Sequence, residues 1–453
     1  MRTWAEQGVQ VQTVVTSPPY WGLRDYKTHS QVWGGDPECE HAWKLKVGKL
    51  NSSNRNFSYG SDEDVAANPK RNNFINSKFN IQQGTCTKCG AWLGELGLED
   101  TPEEYVKHLA SIFDEVYKIL RPDGTVFLNL GDSYVSAKSK HSSRQQTISG
   151  ASRDEPIGGN RPDLKGHPYL KDKDRAGIPH RVVFALQEAG WYWRDEIIWQ
   201  KPSCMPESTE DRCTKQHEFI FMLTKSPRYY YDQFAIRQPA KNPKDLRRPV
   251  GSQGAWEMDG WAKGANGGGK PYEHDTSMSN PRSVWAINTS PYAGSHFAVF
   301  PIELPSRCIK AGTSAYGCCA KCGKPYKRIL DKSTFSSHDG ESDTLYERGT
   351  SANRLAMLRQ AARKNGNEYC QSIKSTGWEP MCKCNAEVVP CIVFDPFMGS
   401  GTTAEAAIRL GRSYLGCELN PDYKPLQDRR IAHGDFMLNN SSEGAATLID
   451  DFA

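Results

Sequence analysis

The stretch from Thr16 to Tyr26 contains residue types that could bind a planar heterocycle bearing an exocyclic amine. At its centre lies Ser17-Pro18-Pro19-Tyr20, in which two prolines fix the backbone. The ring of Tyr20 can stack on a heterocycle, while the Ser17 hydroxyl and the Pro18 carbonyl can accept hydrogen bonds from its amino group. A proline-rich surface turn with a structural tyrosine is the alternative interpretation, and this stretch alone does not decide between the two.

A second stretch, from Val393 to Glu418, has the order strand, glycine turn, helix, strand and acidic residue. Glycines let the backbone approach a ligand closely. An acidic side chain at the end of the next strand can accept hydrogen bonds from two ribose hydroxyls. No lysine completes a phosphate-binding loop, which disfavours ATP, and the loop departs from G-x-G-x-x-G, which disfavours NAD. The stretch therefore predicts a site for another nucleoside cofactor.

The chain contains 14 cysteines, several of them in closely spaced pairs. In an intracellular protein, C-x-x-C and C-x-C spacings favour zinc over disulfides. Two groups each supply four ligands of the kind that tetrahedral structural zinc requires. Free thiols and imidazole on loops are the alternative, and Cys318 is an alternative ligand in the second group. The predicted groups are Cys39, His41, Cys86 and Cys89, and then Cys319, Cys322, Cys382 and Cys384.

Length and charge set only broad limits on the function. A chain of 453 residues can form a large core and more than one module. The formal net charge of +4 permits a nucleic-acid partner without requiring one. We find no apolar run of membrane-spanning length and no signal peptide, so the chain is expected to be soluble and intracellular, without a membrane partner.

The elements that must position these residues have an α/β pattern. Alternation predicts a strand over 9–15, which leads directly into the Ser-Pro-Pro-Tyr loop. Thr101-Pro-Glu-Glu104 has the signature of a helix start, and an apolar face at helical spacing follows it. Arg121-Pro-Asp-Gly124 predicts a turn, and Thr125 to Leu130 a buried strand. Asp132 follows that strand, either near a ligand or as a turn residue. Further predicted elements are a mobile basic loop over 135–177, a helix over 178–187 and strands over 191–199 and 218–223.

The Ser-Pro-Pro-Tyr stretch resembles motif IV of the amino-DNA methyltransferases, and the stretch from Val393 to Glu418 resembles their motifs I and II. The catalytic loop precedes the cofactor loop, an order similar to the β class of this family. The resemblance extends from about Val9 to about Arg430, apart from the two cysteine-bearing insertions. It implies a doubly wound, Rossmann-like methyltransferase sheet with S-adenosyl-L-methionine as cofactor. By this resemblance, catalysis and base holding fall to Ser17, Pro18, Pro19 and Tyr20, and cofactor binding to Asp395, Pro396, Phe397, Gly399, Ser400, Gly401, Thr402 and Glu418.

The resemblance also implies a reaction. A serine at the position of Ser17 is more often associated with N4 of cytosine, and an aspartate with N6 of adenine. We therefore expect transfer of a methyl group to cytosine N4 in double-stranded DNA after base flipping. Alternatives are adenine-N6 methylation, methylation of RNA or a protein glutamine, and a non-catalytic zinc-ribbon DNA-binding protein with a decayed methyltransferase core. A cognate restriction endonuclease is a candidate partner, a bacterial or phage-infected cytoplasm is the expected location, and the oligomeric state stays open.

The predicted organisation is a methyltransferase core in two halves, interrupted by two zinc-ribbon-like insertions. A polar, glycine-rich segment with scattered basic and aromatic residues lies between the halves and is predicted to recognise the target; a plain linker is the alternative. The predicted divisions are 1–32 and 99–237 for the catalytic half, 33–98 for the cysteine/histidine insertion, 238–282 for the recognition region, 283–316 and 385–435 for the cofactor half, 317–384 for the second insertion, and 436–453 for a C-terminal tail.

Overall fold

The fold was examined in a computed structural model, which describes residues 1–23, 26, 28–45, 83–135, 164, 167–204, 206–207, 209–239, 278–289, 299–336 and 369–440. The chain divides into two compact units. The first consists of Met1–Tyr230, Ser283–Ile309 and Ile392–Met437, and the second of Tyr231–Arg282, Lys310–Cys391 and Leu438–Ala453. Among the described residues, no helix combines the length and apolar character that a membrane crossing requires.

The helices and strands of the described residues alternate along much of the chain. The helices are α1 (Arg2–Glu6), α2 (Pro102–Ile119), α3 (Ile178–Glu188), α4 (Glu303–Gly312), α5 (Thr402–Arg409) and α6 (Lys424–Asn440), with short 3-10 turns at Phe234–Ile236 and Pro421–Tyr423. The strands are β1 (Val11–Thr16), β2 (Gln31–Trp33), β3 (Trp43–Leu45), β4 (Gly84–Cys86), β5 (Trp92–Gly94), β6 (Leu120–Leu130), β7 (Tyr192–Gln200), β8 (His217–Thr224), β9 (Gln238–Pro239), β10 (Met278–Ser279), β11 (Val284–Ala286), β12 (Cys318–Cys319), β13 (Tyr326–Ser336), β14 (Tyr369–Pro380), β15 (Val388–Val389), β16 (Ile392–Asp395) and β17 (Ser413–Gly416).

The first unit is built on a seven-stranded sheet in the order β11-β7-β8-β6-β1-β16-β17. Strand β1 is parallel to both of its neighbours, and β16 is parallel to β17. Strand β8 pairs antiparallel with β6 and with β7, which makes the sheet mixed. The predicted α/β class is confirmed. Because β1, β6 and β16 are parallel, their carboxyl ends lie at one edge of the sheet.

Helix α2 shows how the sequence directs this packing. Thr101 caps the helix by accepting from the Glu104 amide, and the Glu104 side chain bonds back to the Thr101 amide, so the predicted capping box forms. The predicted apolar face is buried: Tyr105, Leu109 and Phe113 are all completely buried in the core. Helix α3 buries a similar face. The two helices contact one another and pack into one apolar core with β1, β6 and β8.

The turn predicted at Arg121-Pro-Asp-Gly124 does not separate α2 from the strand. Instead, β6 begins at Leu120, and the predicted turn residues lie where its register with β1 shifts. Leu120 is the partner of Val11, and the next pair is Thr125 with Thr13. The Arg121 guanidinium donates to the Asp123 carboxylate at 2.8 and 3.1 Å, which holds these extra residues inside the strand. The residue types of this segment favour a local reversal of the chain, but its pairing with β1 keeps it within the strand.

The first insertion forms a four-stranded sheet in the order β2-β5-β4-β3. It is attached to α2 by stacking: the rings of Trp33 and Trp92 lie 4.9 and 5.2 Å from that of His108. Thr28 donates from its amide and its hydroxyl to the Glu95 carboxylate, at 3.0 and 2.9 Å. The polar tract over 46–82 lies outside the described residues.

The second unit contains three two-stranded sheets among its described residues, pairing β9 with β10, β12 with β15, and β13 with β14. Inside it, the Arg328 guanidinium lies 4.2 Å from the Trp378 ring centroid and donates to Asp232 at 3.2 Å. Most of the predicted recognition region, 240–277, lies outside the described residues. Helix α6 extends to Asn440, and residues 441–453 of the predicted tail lie outside the described residues.

The predicted mobile loop over 135–177 is partly ordered. Its last part packs on the first unit, because Arg175 forms an ion pair with the buried Asp132 and Leu170 is buried. Asp132 also accepts from the amides of Ser133 and Ile178, both at 3.0 Å. This carboxylate therefore anchors the start of α3. Of the two roles that the sequence left open for Asp132, the structure shows the structural one. Residues 136–163 lie outside the described part.

Candidate active site

A cavity of about 620 Å³ opens at the carboxyl edge of the sheet. Strands β1 and β16 are neighbours, and the chain leaves β1 toward one side of the sheet and β16 toward the other. Open α/β sheets bind ligands at such a point. Ten of the twelve residues predicted for catalysis and cofactor binding line it, and Asp395 and Gly401 do not. Those that line it are Ser17, Pro18, Pro19, Tyr20, Pro396, Phe397, Gly399, Ser400, Thr402 and Glu418.

The loop after β1 is fixed from the side of α2. The Tyr105 hydroxyl donates to the Pro19 carbonyl at 2.7 Å, and Ser17 Oγ donates to the Tyr20 hydroxyl at 3.2 Å. The Pro18 carbonyl accepts no hydrogen bond from the residues that the structure describes. A serine oxygen and a backbone carbonyl are thus left with acceptor capacity beside the cavity.

The ring of Tyr20 lies against the backbone at Gly131, just after β6. A Cβ atom at position 131 would lie 2.5 Å from Tyr20 Cε2, a distance that only glycine avoids. The glycine therefore gives the ring its place beside the cavity. The sequence did not reveal this requirement for a glycine, because it comes from a residue 111 positions away.

Polar side chains from two strands, β6 and β8, meet at the Tyr20 hydroxyl. It lies 2.8 Å from Glu218 Oε2 and 3.0 Å from Asn129 Oδ1, both within donating distance. Asn129 Nδ2 also donates to Glu218 Oε2 at 3.2 Å, and Lys201 forms an ion pair with Glu218. Burial, and then the negative charge of Glu218, raise the pKa of Tyr20 well above its ordinary value. The tyrosine therefore stays protonated and acts as a donor.

The sequence did not identify Asn129, Lys201 or Glu218 as site residues, although all three line the cavity. Each belongs to a strand or a strand end whose pattern indicated only a buried core. The available signal was polar side chains near the carboxyl end of β6, directly after β7 and at the start of β8. Their convergence requires knowing that β8 runs antiparallel beside β6.

The glycine loop after β16 forms the other wall. Gly399 and Gly401 have φ angles of 51° and 88°, in the left-handed region that favours glycine. The Gly399 amide donates to Glu418 Oε2 at 2.7 Å, and the Asn420 amide donates to Glu418 Oε1 at 2.8 Å. Gln427 Nε2 donates to the Gly399 carbonyl at 2.8 Å. The acidic residue is therefore held beside the glycine turn, with lone pairs remaining for ligand hydroxyls.

Asp395 lies behind this loop, with 2% of its surface exposed. Its carboxylate accepts from the hydroxyls of Thr16 and Thr403 at 2.6 and 2.7 Å, and from the Phe397 amide at 3.0 Å. Burial raises the pKa of Asp395 to about 6, while these hydrogen bonds favour the charged form. Asp395 thus joins the end of β1 to the glycine loop. These contacts give Asp395 a positioning role, and its predicted cofactor contact stays a prediction.

Apolar side chains complete the cavity. Val299 and Phe300 line it, as do Leu419, Tyr423 and Leu426 after β17. The residues after Glu418 were not predicted, because a short apolar segment gives no specific signal. Flat apolar walls with a few polar groups suit a nucleoside.

Both predicted ligand groups converge. The possible ligand atoms of Cys39, His41, Cys86 and Cys89 all lie within 4.8 Å of one another. Cys319, Cys322, Cys382 and Cys384 meet the same criterion. Ligands around one tetrahedral zinc, with Zn–S bonds of about 2.3 Å, lie about 3.8 Å apart. The donor types and the spacing therefore fit structural zinc in both places.

Comparison with known proteins identifies the family. The family model described as DNA methylase, N6_N4_Mtase, matches residues 11–319 and 391–428. The chain belongs to this N6/N4 DNA methylase family. It is a Type II DNA methyltransferase.

Several curated methyltransferases and solved structures are similar to this DNA methylase. It is 32% identical to the Type II methyltransferase M.SmaI of Serratia marcescens over 75% of this chain and 77% of that protein. It is 29% identical to M.Cfr9I of Citrobacter freundii, over 94% of this chain and 82% of the other. A structure of PvuII DNA methyltransferase, titled cytosine-N4-specific, is 14% identical with a TM-score of 0.39, covering 98% of this chain and 86% of that chain.

Replacing Gly131 by alanine in this DNA methylase is expected to reduce DNA methylation strongly. The new methyl group would overlap the Tyr20 ring, and forcing extra atoms into a packed site typically costs about 1–3 kcal/mol. Methylation should fall while binding of S-adenosyl-L-methionine, measured by calorimetry, stays within twofold. A Gly131→Ala variant with the methylation rate of the unchanged protein would show that the ring position is not required.

Proposed function

We propose that this methyltransferase transfers a methyl group to the exocyclic N4 of cytosine in double-stranded DNA. The observation that carries the proposal is the pairing of two acceptors, Ser17 Oγ and the Pro18 carbonyl, beside the Tyr20 ring in the cavity. A serine in this position favours cytosine by the family resemblance. A base inside a duplex cannot reach such a cavity, so the target must be flipped out of the stack.

The proposed role of the Ser-Pro-Pro-Tyr loop is to make the amine a better nucleophile. The lone pair of a cytosine amine is delocalised into the ring. Hydrogen bonds from the two amine protons to Ser17 Oγ and the Pro18 carbonyl would draw the nitrogen toward tetrahedral geometry. Stacking on Tyr20 would hold the ring in place, and is typically worth ~1–3 kcal/mol per base. The loop is held from behind by Tyr105, so its acceptors are positioned before the base arrives.

S-adenosyl-L-methionine supplies a methyl group on a positively charged sulfur. We assign its nucleoside to the wall formed by Phe397, the Gly399 turn and Glu418, in which the Glu418 carboxylate would accept from the ribose hydroxyls. The start of α5 at Thr402 offers backbone amides for a carboxylate. Asp395 contributes indirectly, because it fixes the glycine loop to β1.

We further propose that both cysteine groups bind structural zinc. The first holds the sheet of the first insertion together, on which Gln31, Trp33 and Glu95 border the cavity. The second lies in the second unit, which also contains the predicted recognition region. A zinc-stabilised unit of this kind is proposed to contact the DNA around the target base, with a cognate endonuclease as a partner for the same sequence.

Adenine-N6 methylation is the second candidate. It is favoured by the family, whose model covers both N6 and N4 enzymes. Both bases present an exocyclic amine, so the same two acceptors would serve either reaction.

Nucleoside mass spectrometry of DNA from cells that express the chain tests the proposal. We expect N4-methylcytosine, and none in cells that carry an inactive Ser17→Ala, Tyr20→Ala double variant. N6-methyladenine would overturn the choice of base and leave the site assignment intact. Absence of both modified bases, in a protein that still binds S-adenosyl-L-methionine and methylates no DNA from any tested source, would overturn the proposal.

A further inference from the structure

The Tyr20 hydroxyl connects the proposed amine-binding acceptor, Ser17, with the carboxylate of Glu218. Ser17 Oγ donates to the Tyr20 hydroxyl at 3.2 Å, and the Tyr20 hydroxyl lies 2.8 Å from Glu218 Oε2. Lys201 forms an ion pair with the other oxygen of Glu218. The hydrogen bonds thus run in one direction, from the serine through the phenol to the carboxylate.

The methyltransferase reaction needs such an outlet. When the amine nitrogen forms a bond to the methyl carbon, that carbon's bond to sulfur breaks and the nitrogen gains a positive charge. One amine proton must then leave to restore the neutral base. Water is the default acceptor, but the amine is enclosed by the stacked ring and the proline loop, where a positioned acceptor is more effective.

We propose that Ser17, Tyr20 and Glu218 form a proton relay that removes this proton as the nitrogen–carbon bond forms. The amine proton passes to Ser17 Oγ, the serine proton to the Tyr20 oxygen and the tyrosine proton to Glu218 Oε2. The positive sulfur and the negative carboxylate become neutral together, so charge is conserved. The inference rests on the proposed binding of the amine by Ser17.

Other properties of the site agree with this direction of transfer. The raised pKa of Tyr20 means that the phenol starts protonated, so it can take the serine proton only by passing its own proton to Glu218. Asn129 lies 3.0 Å from the same hydroxyl, but its amide oxygen is a much weaker base than a carboxylate. Lys201 balances the charge of Glu218, which explains how the carboxylate is tolerated at the cavity wall.

Glu218→Gln separates the relay from a purely structural role. Glutamine keeps the shape and an acceptor for the Tyr20 hydroxyl, yet cannot take up a proton. We expect single-turnover methylation to slow by about 100-fold or more. Binding of DNA and of S-adenosylhomocysteine should stay within twofold. The matched control is Glu196→Gln on the neighbouring strand β7, where the carboxylate pairs with His180 outside the cavity.

A second substitution addresses the relay itself. Tyr20→Phe should slow the step to a similar degree, and adding Glu218→Gln to it should slow the step little more, because both interrupt one relay.

The outcomes distinguish the relay from the proposed function. The base that the unchanged protein methylates is established first, and failure there concerns the choice of base alone. With an active protein in hand, a Glu218→Gln rate within threefold of the original would overturn the relay. So would slowing in the Tyr20→Phe, Glu218→Gln double variant that equals the product of the two single effects.

Discussion

Ser17→Ala is expected to slow methyl transfer to DNA by about 10²–10³-fold, the usual cost of removing one positioned group that stabilises a transition state. The substitution removes an acceptor for the amine and also the donor to the Tyr20 hydroxyl. It leaves the Pro18 carbonyl and the glycine loop in place. Single-turnover transfer of labelled methyl groups to DNA measures the effect.

The matched control for Ser17→Ala is Ser111→Ala. Ser111 lies on α2, where its hydroxyl donates to the His108 carbonyl at 2.7 Å. The Ser111→Ala variant therefore loses a serine hydroxyl at a position away from the amine acceptors. The control should methylate DNA at nearly the original rate. Cofactor binding should be unchanged in both variants. Ser17 belongs to the loop after β1, whereas the proposed cofactor site is formed by the glycine loop after β16. An unaffected transfer rate in Ser17→Ala would show that the serine does not act on the amine.

Cys86→Ser is expected to remove one zinc ion and destabilise the first insertion. The purified protein should contain two zinc ions per chain, and Cys86→Ser and Cys384→Ser one each. Zinc binding supplies much of the folding free energy of small metal-stabilised modules, about 10–16 kcal/mol in zinc-finger peptides. DNA methylation by Cys86→Ser should also fall, because the insertion provides Gln31 and Trp33 to the cavity wall.

Elemental analysis and limited proteolysis measure these effects. In the Cys86→Ser variant, protease should cleave the first insertion faster than it does in the unchanged protein. The control is Cys213→Ser, which replaces an exposed cysteine outside both groups and should keep two zinc ions. Purified protein without zinc under reducing, metal-replete conditions would contradict the prediction for both sites.

The sequence predicted well the features that depend on short spacing. The helix capped by Thr101 starts where predicted, because its capping box uses neighbouring residues. The two ligand groups were also predictable in composition, since each is made of short pairs. Their convergence to within 4.8 Å is a property of the fold, and the presence of zinc stays a prediction.

The features that depend on strand neighbours were less accessible. Glu218 reads as the polar start of a buried strand, and only its position beside β6 brings it to Tyr20. For Asp395, the sequence predicted a cofactor contact but did not reveal the hydrogen bonds that Thr16 and Thr403 donate to its carboxylate. The Arg121-Pro-Asp-Gly124 segment has turn residues, yet pairing with β1 retains it within β6. In each case a residue distant in sequence decides the outcome.

The hydrogen bond between Thr16 and Asp395 joins residues 379 positions apart. During synthesis at ~5–20 residues per second, roughly 20 to 80 seconds separate the appearance of the two residues at the ribosome. Throughout that time one side of β1 lacks its neighbour β16, and the nascent chain carries a base-binding loop with no glycine turn beside it. Contacts of such long range slow folding and leave strand edges open to aggregation. The late closure also means that a growing chain cannot modify DNA until its last sheet strands have been made.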